Sequence, residues 1–425
     1  MIETLKNAWS VKEIRKKIFF TLLVIIVFRI GSVIPVPYID IAALRNSGAA
    51  TANEFFSYLS ILTGGGLDYG AIFAMSVTPY INSSIIIQLL CVAIPPLERL
   101  SKEGPEGQKK LAQITRYTTV LLGLFQGTAF FFYLKGNALL SVSGTGSLVF
   151  AAFVIVLCLT AGSALVMWLG EQIDAKGIGN GISILLFAGI ISRAPQAAQT
   201  LYAYWMSGKQ VAVVGIVIVF LIVIAFIVWM TNAERRIPIQ YAKRVVGRKM
   251  YGGQNSHLPI QVNMSGVMPI IFASSILMVP TMILSFMKNS ESAWYKLFTV
   301  FSTRGLGYAA LYFLLIIAFA YFYTTIQFNP VEMANNLRQN GGAIPGIRPG
   351  TNTSDFIAKI LSRITLLGAL FLGVIAILPI LIGSVGGINI SLGGTSILIL
   401  VGVALDTVKN LESQLMVRHY KGFLD

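Results

Sequence analysis

The chain has 425 residues, of which 55% are hydrophobic and only 12% are charged, and its mean hydropathy is +0.75. Soluble globular domains carry about 25% charged residues, so this composition excludes an ordinary soluble fold and predicts an all-α membrane protein. The net charge of +15 lies mainly in loops, where it bears first on membrane orientation.

Ten mostly apolar stretches have lengths close to the roughly 20 residues that a membrane-spanning helix needs. An even number of spans puts both termini on one side. The loops on that side hold most of the Lys and Arg residues, although loop 170–177 has no strong basic excess, so cytoplasmic termini are predicted. The stretches lie approximately at residues 17–35, 71–94, 114–134, 149–169, 178–194, 211–231, 266–287, 308–327, 364–384 and 392–409.

The ten spans divide into two halves of five, residues 1–194 and 195–425. An odd number of spans in each half inverts the second half relative to the first, as in inverted repeats. The second span of each half supports this division, since PYINSSI at 79–85 is similar to PIIFASSI at 269–276.

The first stretch is too long for the apolar core of a signal peptide, and no small-residue cleavage site follows it, so a retained first span is predicted. Arg29 within this span would cost about 3 kcal/mol at the bilayer centre. We therefore expect Arg29 to lie near an end of the span or to pair with a backbone carbonyl.

Residues 55–63 form a further apolar segment that is too short to cross a membrane. Gly64–Gly66 separate it from the second span, because glycine weakens helices and permits sharp turns. Irregular backbone at membrane depth is tolerated only where it is buried in protein or lines a cavity. The pattern predicts a re-entrant segment on the external side, and an interfacial helix is the alternative.

Polar but uncharged side chains interrupt several spans. They either hydrogen-bond packed helices to one another or face a water-filled path. Ile81 and Ile85, four residues apart on one helix face, are candidates for an apolar constriction in such a path. The polar residues are Ser76, Thr78, Asn82, Ser83, Ser84 and Gln88 in the second span, Asn180 and Ser183 in the fifth, and Ser265, Ser274 and Ser275 in the seventh.

Groups that would supply chemistry or ion coupling are missing from the span centres. No carboxylate lies there, which disfavours a proton- or sodium-coupled transporter. His257 and His419 lie in cytoplasmic segments, which disfavours an intramembrane protease, and Cys91 and Cys158 have neither disulfide nor metal spacing. No phosphate-binding loop occurs, so we expect no catalytic residue, metal or cofactor, and another protein must supply the energy.

Two long cytoplasmic loops, residues 232–258 and 328–362, carry many basic residues. Loops of this length usually carry function. They are interpreted either as topology anchors that contact anionic lipid or as docking sites for a large acidic or nucleic-acid-bearing partner.

Ordered motifs run along the whole chain: FRIGSVIPVP at 28–37, PYINSSIIIQLL at 79–90, KEGPEGQKK at 102–110, GIGNGIS at 177–183, NAERRIPIQYAKR at 232–244, MPIIFASSI at 268–276, NPVEMANNLRQNGGAIPGIRPG at 329–350 and GGTSILI at 393–399. Together they resemble the Sec61/SecY family of protein-conducting channels. The resemblance implies an hourglass pore between two inverted halves, which conducts unfolded secretory proteins and releases membrane helices sideways. A secondary transporter with inverted repeats is the alternative from another class.

The resemblance also implies site residues. The pore constriction would be formed by Ile81, Ile85, Leu186, Ile271 and Ile399. The plug, about residues 57–69, would include Leu59, Ile61, Leu62, Gly64, Gly65 and Leu67. The lateral gate between the second and seventh spans would include Thr78, Asn82, Ser83, Gln88, Ser274 and Ser275.

Partners follow from the same resemblance. SecE-type and SecG-type small membrane subunits, signal peptides, nascent chains and anionic lipids are expected partners in a bacterial cytoplasmic membrane. Two departures from the family pattern are Leu186, where isoleucine is common, and Tyr38–Asp40, where many relatives have a glycine-containing turn. The SecA motor ATPase or the ribosome would dock on Arg235, Arg236, Lys243, Arg244, Arg248, Arg338 and Arg348.

Overall fold

In the computed structural model of the chain, the described residues are 9–46, 60, 63–142, 144–241, 244–246, 249–251, 256–286, 306–386 and 394–421. They fall into two compact units. The first consists mainly of residues up to Lys209 and includes the chain from Val403 onward. The second consists of Gln210–Leu277 and a later stretch that ends at Gly402. The predicted division at residue 194 stays a prediction.

Helices dominate both units. The first unit contains α1 (Lys12–Gly31), α2 (Ile41–Asn46), α3 (Thr78–Ala93), α4 (Pro95–Lys102), α5 (Pro105–Gly136), α6 (Thr145–Lys176), α7 (Gly181–Ile191) and α8 (Ala194–Met206). Along the rest of the chain follow α9 (Gln210–Asn232), β1 (Glu234–Tyr241), β2 (Arg244–Val246), β3 (Lys249–Tyr251), β4 (Ser256–Gln261), α10 (Met268–Phe286), α11 (Leu306–Gln327), α12 (Pro330–Gln339), β5 (Gly342–Ala343), α13 (Thr351–Gly386) and α14 (Gly394–Lys421).

Every predicted span overlaps one of these helices. Within the described part of the chain, six helices are long and apolar enough to cross a membrane, and α3 with α4, bent by 104°, gives a seventh if the pair is one crossing. The chain is therefore a multi-pass membrane protein. The full set of ten crossings stays a prediction.

The second span begins later than predicted. Residues 63–77 form consecutive turns, and α3 starts only at Thr78, with Pro79 in its first turn. Ser76 has a positive φ of 46°, which an ongoing right-handed helix does not allow. The prediction of a span from residue 71 was wrong because hydropathy does not register this backbone break.

Residues 63–77 are held by a hydrophobic core of the first unit. Leu67 and Met75 pack in this core with Phe130 of α5 and Leu159 of α6. Gly162 lets α6 approach the turns closely, because a Cβ there would lie 2.1 Å from the carbonyl oxygen of Ile72. The irregular segment is thus a packed part of the protein, as irregular backbone in a membrane protein must be.

The polar residues of the fifth span form a helix cap. The Asn180 side-chain oxygen accepts a hydrogen bond from the Ser183 backbone N–H at 3.0 Å and so caps the start of α7. This satisfies one of the free N–H groups of the first helical turn. Asn180 therefore has a local structural role as a helix cap, which is neither of the two roles predicted for the polar residues of the spans.

The second unit contains a small sheet that joins the two basic loops. Its strand order is β4-β1-β5, with antiparallel pairs throughout. Ile237 and Ile239 are the two buried residues of β1. Ile237 packs in a hydrophobic core with Ile344, Ile357 and Leu361, so the sheet rests on α13 and on the chain that precedes it. The hydropathy pattern did not predict strands in these loops.

Candidate functional site

The glycine segment before the second span is fixed by two side chains that reach it from α1 and from the end of α7. Arg29 Nη1 donates a hydrogen bond to the carbonyl oxygen of Gly64 at 2.9 Å. The expectation that Arg29 pairs with a backbone carbonyl is confirmed. The single hydroxyl hydrogen of Ser192 is best placed for the Gly189 carbonyl at 2.7 Å, and the same hydroxyl oxygen lies 3.4 Å from the Gly64 carbonyl oxygen as a weaker contact.

An ion pair lies next to this carbonyl. Arg193 Nη2 is 2.5 Å from Asp68 Oδ2 and also donates to the Ser60 hydroxyl at 2.8 Å. The Ser60 hydroxyl in turn donates to Asp68 Oδ1 at 2.8 Å. Only 11% of the Arg193 side chain and 24% of the Asp68 side chain are exposed. Neither Ser60 nor Arg193 was singled out as a site residue, although Ser60 lies within the predicted plug, about residues 57–69, and Arg193 lies at the end of the predicted fifth span, 178–194.

Gly64 occupies a position that no larger residue fits. Its φ is +64°, in the left-handed region that favours glycine. A Cβ would lie 2.2 Å from the Ser192 hydroxyl oxygen and 2.6 Å from the Gly189 carbonyl oxygen. The contact of this segment with the end of α7 therefore requires glycine.

We expect Gly64→Ala to lower the free energy of unfolding by at least about 2 kcal/mol, since the left-handed backbone alone costs roughly 1–2 kcal/mol and the steric clash adds to it. Thermal unfolding of the purified protein in detergent measures the effect. Gly66→Ala is the matched control, because its Cβ would meet atoms only at 3.4 Å or more and its φ is ordinary. Equal unfolding midpoints for the two variants would contradict the prediction.

The predicted plug residues are only partly described. Gly64, Gly65 and Leu67 are buried, and Gly65 also has a positive φ, of 88°. Leu59, Ile61 and Leu62 lie outside the described residues. The part of the predicted plug that can be placed is thus its glycine-containing end, which packs in the first unit.

The predicted gate residues on α3 behave in two ways. The buried side-chain oxygens of Thr78 and Asn82 have no hydrogen-bond partner among the described residues, and the same holds for Ser76 in the turns just before α3. Ser83 is different, because its hydroxyl donates to the Thr115 carbonyl of α5 at 2.8 Å. Ser83 therefore joins α3 to α5, whereas the other three retain free polar capacity.

Two further gate predictions concern side chains with local hydrogen bonds. The Gln88 amide nitrogen donates to the Ser84 hydroxyl of the same helix at 3.5 Å. On α10, the Ser274 hydroxyl donates to the Ile271 carbonyl at 2.9 Å, and Ser275 is half-buried.

The predicted constriction residues are all described and all shielded to some degree. Ile85, Leu186 and Ile399 are buried, and Ile81 and Ile271 are half-buried. Ile81, Ile85 and Leu186 belong to the first unit, on α3 and α7. Ile271 and Ile399 belong to the second, on α10 and α14.

The predicted docking residues that can be placed lie on the sheet and around α12. Arg235 and Arg236 on β1, Arg338 on α12 and Arg348 before α13 are all exposed. Arg236 pairs with Glu234 at 2.6 Å, but such an exposed pair contributes only about 0–1 kcal/mol. The structure gives the backbone of Arg244 in β2, while Lys243 and Arg248 lie outside the described residues.

Comparisons with known proteins fit this arrangement. The SecY family model matches residues 71–408. A protein translocase subunit SecY of Bacillus licheniformis is 44% identical over 440 residues, which is 100% of both chains.

Two solved structures have the same fold. One is a SecY protein whose plug domain is described as stabilising the closed state of the translocation channel, with a TM-score of 0.65, 17% identity and coverage of 94% of this chain and 92% of that one. The other is Sec61 in a canine ribosome-channel complex, with a TM-score of 0.63, 16% identity and the same coverage. The fold is thus that of the protein translocation channels. The full-length identity and the family match then define it further: the chain belongs to the SecY family.

Proposed function

We propose that this chain is the central, non-enzymatic subunit of a Sec protein translocation channel in a bacterial cytoplasmic membrane, with both termini cytoplasmic. It conducts unfolded secretory proteins across the membrane and releases membrane helices laterally. The observation that carries the proposal is the 44% identity over the full length to a protein translocase subunit SecY. We propose that the energy comes from a partner, since the sequence has no phosphate-binding loop of the kind that NTPases use.

The parts of the channel are proposed as follows. Ile81, Ile85, Leu186, Ile271 and Ile399 form the apolar constriction, which resists ion flow by excluding water. The segment around Gly64–Leu67 is the hinge end of the plug. The polar oxygens of Thr78 and Asn82, which have no partner in the part of the chain that the structure describes, favour the gate role for α3, since such atoms are costly when buried and would gain partners when the gate opens.

Ser83 connects the proposed gate helix α3 to α5. Its bond to the Thr115 carbonyl fixes α3 to α5, so we propose that α3 and α5 move together when the gate opens. Gln88, Ser274 and Ser275 line the remainder of the gate.

Docking is proposed for the exposed arginines of the sheet and of the chain around α12. The canine relative is a channel in complex with a ribosome, which supports a ribosomal partner for this surface. RNA phosphates and acidic protein surfaces both fit exposed arginines, so the SecA motor and the ribosome share the site. SecE-type and SecG-type subunits and anionic lipids complete the proposed set of partners.

A site-directed crosslink tests the conduit. We expect a cysteine at Ile271, in a background without Cys91 and Cys158, to crosslink to the mature part of a secretory chain stalled during transport. The same cysteine moved to Leu314, an exposed apolar residue of α11, is the control and should not crosslink to the mature part. Absence of the Ile271 crosslink under demonstrated translocation would remove α10 from the conduit. Motor-free uptake of a small solute by the reconstituted protein would favour the transporter instead.

A further inference from the structure

The contacts around Gly64 join a short segment to three fixed points. Ser60, Gly64 and Asp68 belong to the segment, and Arg29, Ser192 and Arg193 hold it. Arg29 lies in the last turn of α1, Ser192 directly follows α7, and Arg193 precedes the first residue of α8. The three fixed residues are therefore placed by helices, whereas residues 63–68 of the segment form turns.

The ion pair is the strongest of these contacts. Charged hydrogen bonds are roughly twice as strong as neutral ones, and partial burial reduces screening by water. Asp68 and Arg193 are 125 positions apart in the sequence. The pair therefore fixes the position of the segment relative to the end of α7 and does not set the local geometry of a turn.

The ion pair can also separate, because the hydrogen bonding of Arg193 is incomplete. The buried Nε of Arg193 has no hydrogen-bond partner among the described residues, and the hydrogen bonds of its guanidinium group to Ser60 and Asp68 both come from Nη2. An unpaired buried donor lowers the net stability of the state that contains it. The segment is thus held by an ion pair that uses only part of the hydrogen-bonding capacity of the guanidinium group.

We propose that Asp68 and Arg193 are positioning residues that latch the hinge end of the plug to the junction of α7 and α8. Gly64, held by Arg29 and Ser192, is the second attachment point of this latch. Opening the plug requires the Asp68–Arg193 pair to separate, so the pair sets how often the resting channel opens. This inference rests on the proposed plug and concerns its control.

The test uses a reporter at Thr63, which is fully buried between Ser60 and Gly64. Thr63→Cys is made in full-length protein without Cys91 and Cys158, reconstituted in vesicles, and labelled with an impermeant thiol reagent on the external side. We expect Asp68→Asn and Arg193→Gln each to raise the labelling rate at least about tenfold, because each leaves an uncompensated, partly buried partner. The double variant should label more slowly than either single variant, since it leaves no charge unpaired.

Two control variants make the result decisive. Arg193→Lys keeps the positive charge, so its labelling rate should stay within about threefold of the parent rate. If any change at position 193 caused misfolding, this variant would also label much faster. Glu171→Gln breaks the more exposed Arg116–Glu171 pair, 2.8 Å long in the same unit, and should leave the rate unchanged. Unchanged labelling in both single variants, or additive effects in the double variant, would overturn the latch.

The outcome is separable from that of the proposed function. Translocation and the Ile271 crosslink are measured in the same vesicles. If the protein translocates normally and the labelling rate is the same with and without the ion pair, only the latch proposal fails. If the protein shows neither translocation nor crosslink, the channel function fails whatever the labelling shows.

Discussion

Replacing Ile81 and Ile85 together by asparagine is expected to raise the ion conductance of the resting channel at least about tenfold, because a narrow apolar constriction blocks ions by excluding water. The two residues lie one helical turn apart on α3, and Ile85 is buried while Ile81 is half-buried. Two amide side chains there would supply hydrogen bonds for water inside the constriction. Conductance of single channels in planar bilayers, without motor or substrate, measures the change.

The matched control for this pair is Ile86→Asn on the same helix. Ile86 is exposed, so its replacement adds an amide at nearly the same depth but on another face of α3. We expect the conductance of this variant to stay near that of the parent. Background conductance in the double variant, with the protein folded and inserted, would remove Ile81 and Ile85 from the constriction.

Replacing Arg348 by glutamate is expected to reduce motor-driven transport at least about a hundredfold, since reversing a charge replaces attraction to an acidic partner by repulsion worth several kcal/mol. The side chain is exposed, while the Arg348 carbonyl accepts a hydrogen bond from the Thr353 hydroxyl at 3.0 Å. The backbone is thus fixed by a contact that the substitution leaves in place. Transport of a secretory precursor into vesicles, with SecA and ATP supplied, measures the loss.

Lys359→Glu is the control for Arg348→Glu. Lys359 is also exposed and basic, but it lies in α13, within the helix that follows the Arg348 turn. Its reversal makes the same change in net charge and should leave transport within about threefold, as is usual for an exposed charge outside the contact. Normal transport by Arg348→Glu, or equal losses in both variants, would take Arg348 out of the docking site.

The features of the fold that follow from hydropathy could be predicted from the sequence. Apolar runs located the helices, and the cost of a buried charge predicted the carbonyl partner of Arg29. The start of α3 was misplaced because residues 71–77 are as apolar as a helix but form turns before Pro79.

The candidate site was predicted less completely, because its contacts join residues far apart in the chain. The Asp68–Arg193 pair, the bond from Ser83 to Thr115 and the pairing of β1 with β5 have no signature in any single stretch. Burial also changes the meaning of a polar residue. Ser83 and Asn82 are neighbours in sequence, yet Ser83 bonds to α5, whereas the side-chain oxygen of Asn82 has no partner within the described ranges.

The pairing of β1 with β5 has a consequence for biosynthesis. Tyr241 lies opposite Gly342, so β1, which carries Arg235 and Arg236, can pair with β5 only after 101 more residues (342 − 241) have been added. Chains are made from the N-terminus at about 5–20 residues per second, so the first loop emerges several seconds before the second. A newly made chain therefore acquires its complete sheet only after α11 has been synthesised, so under the proposed docking role an unfinished copy does not yet present the full set of arginines.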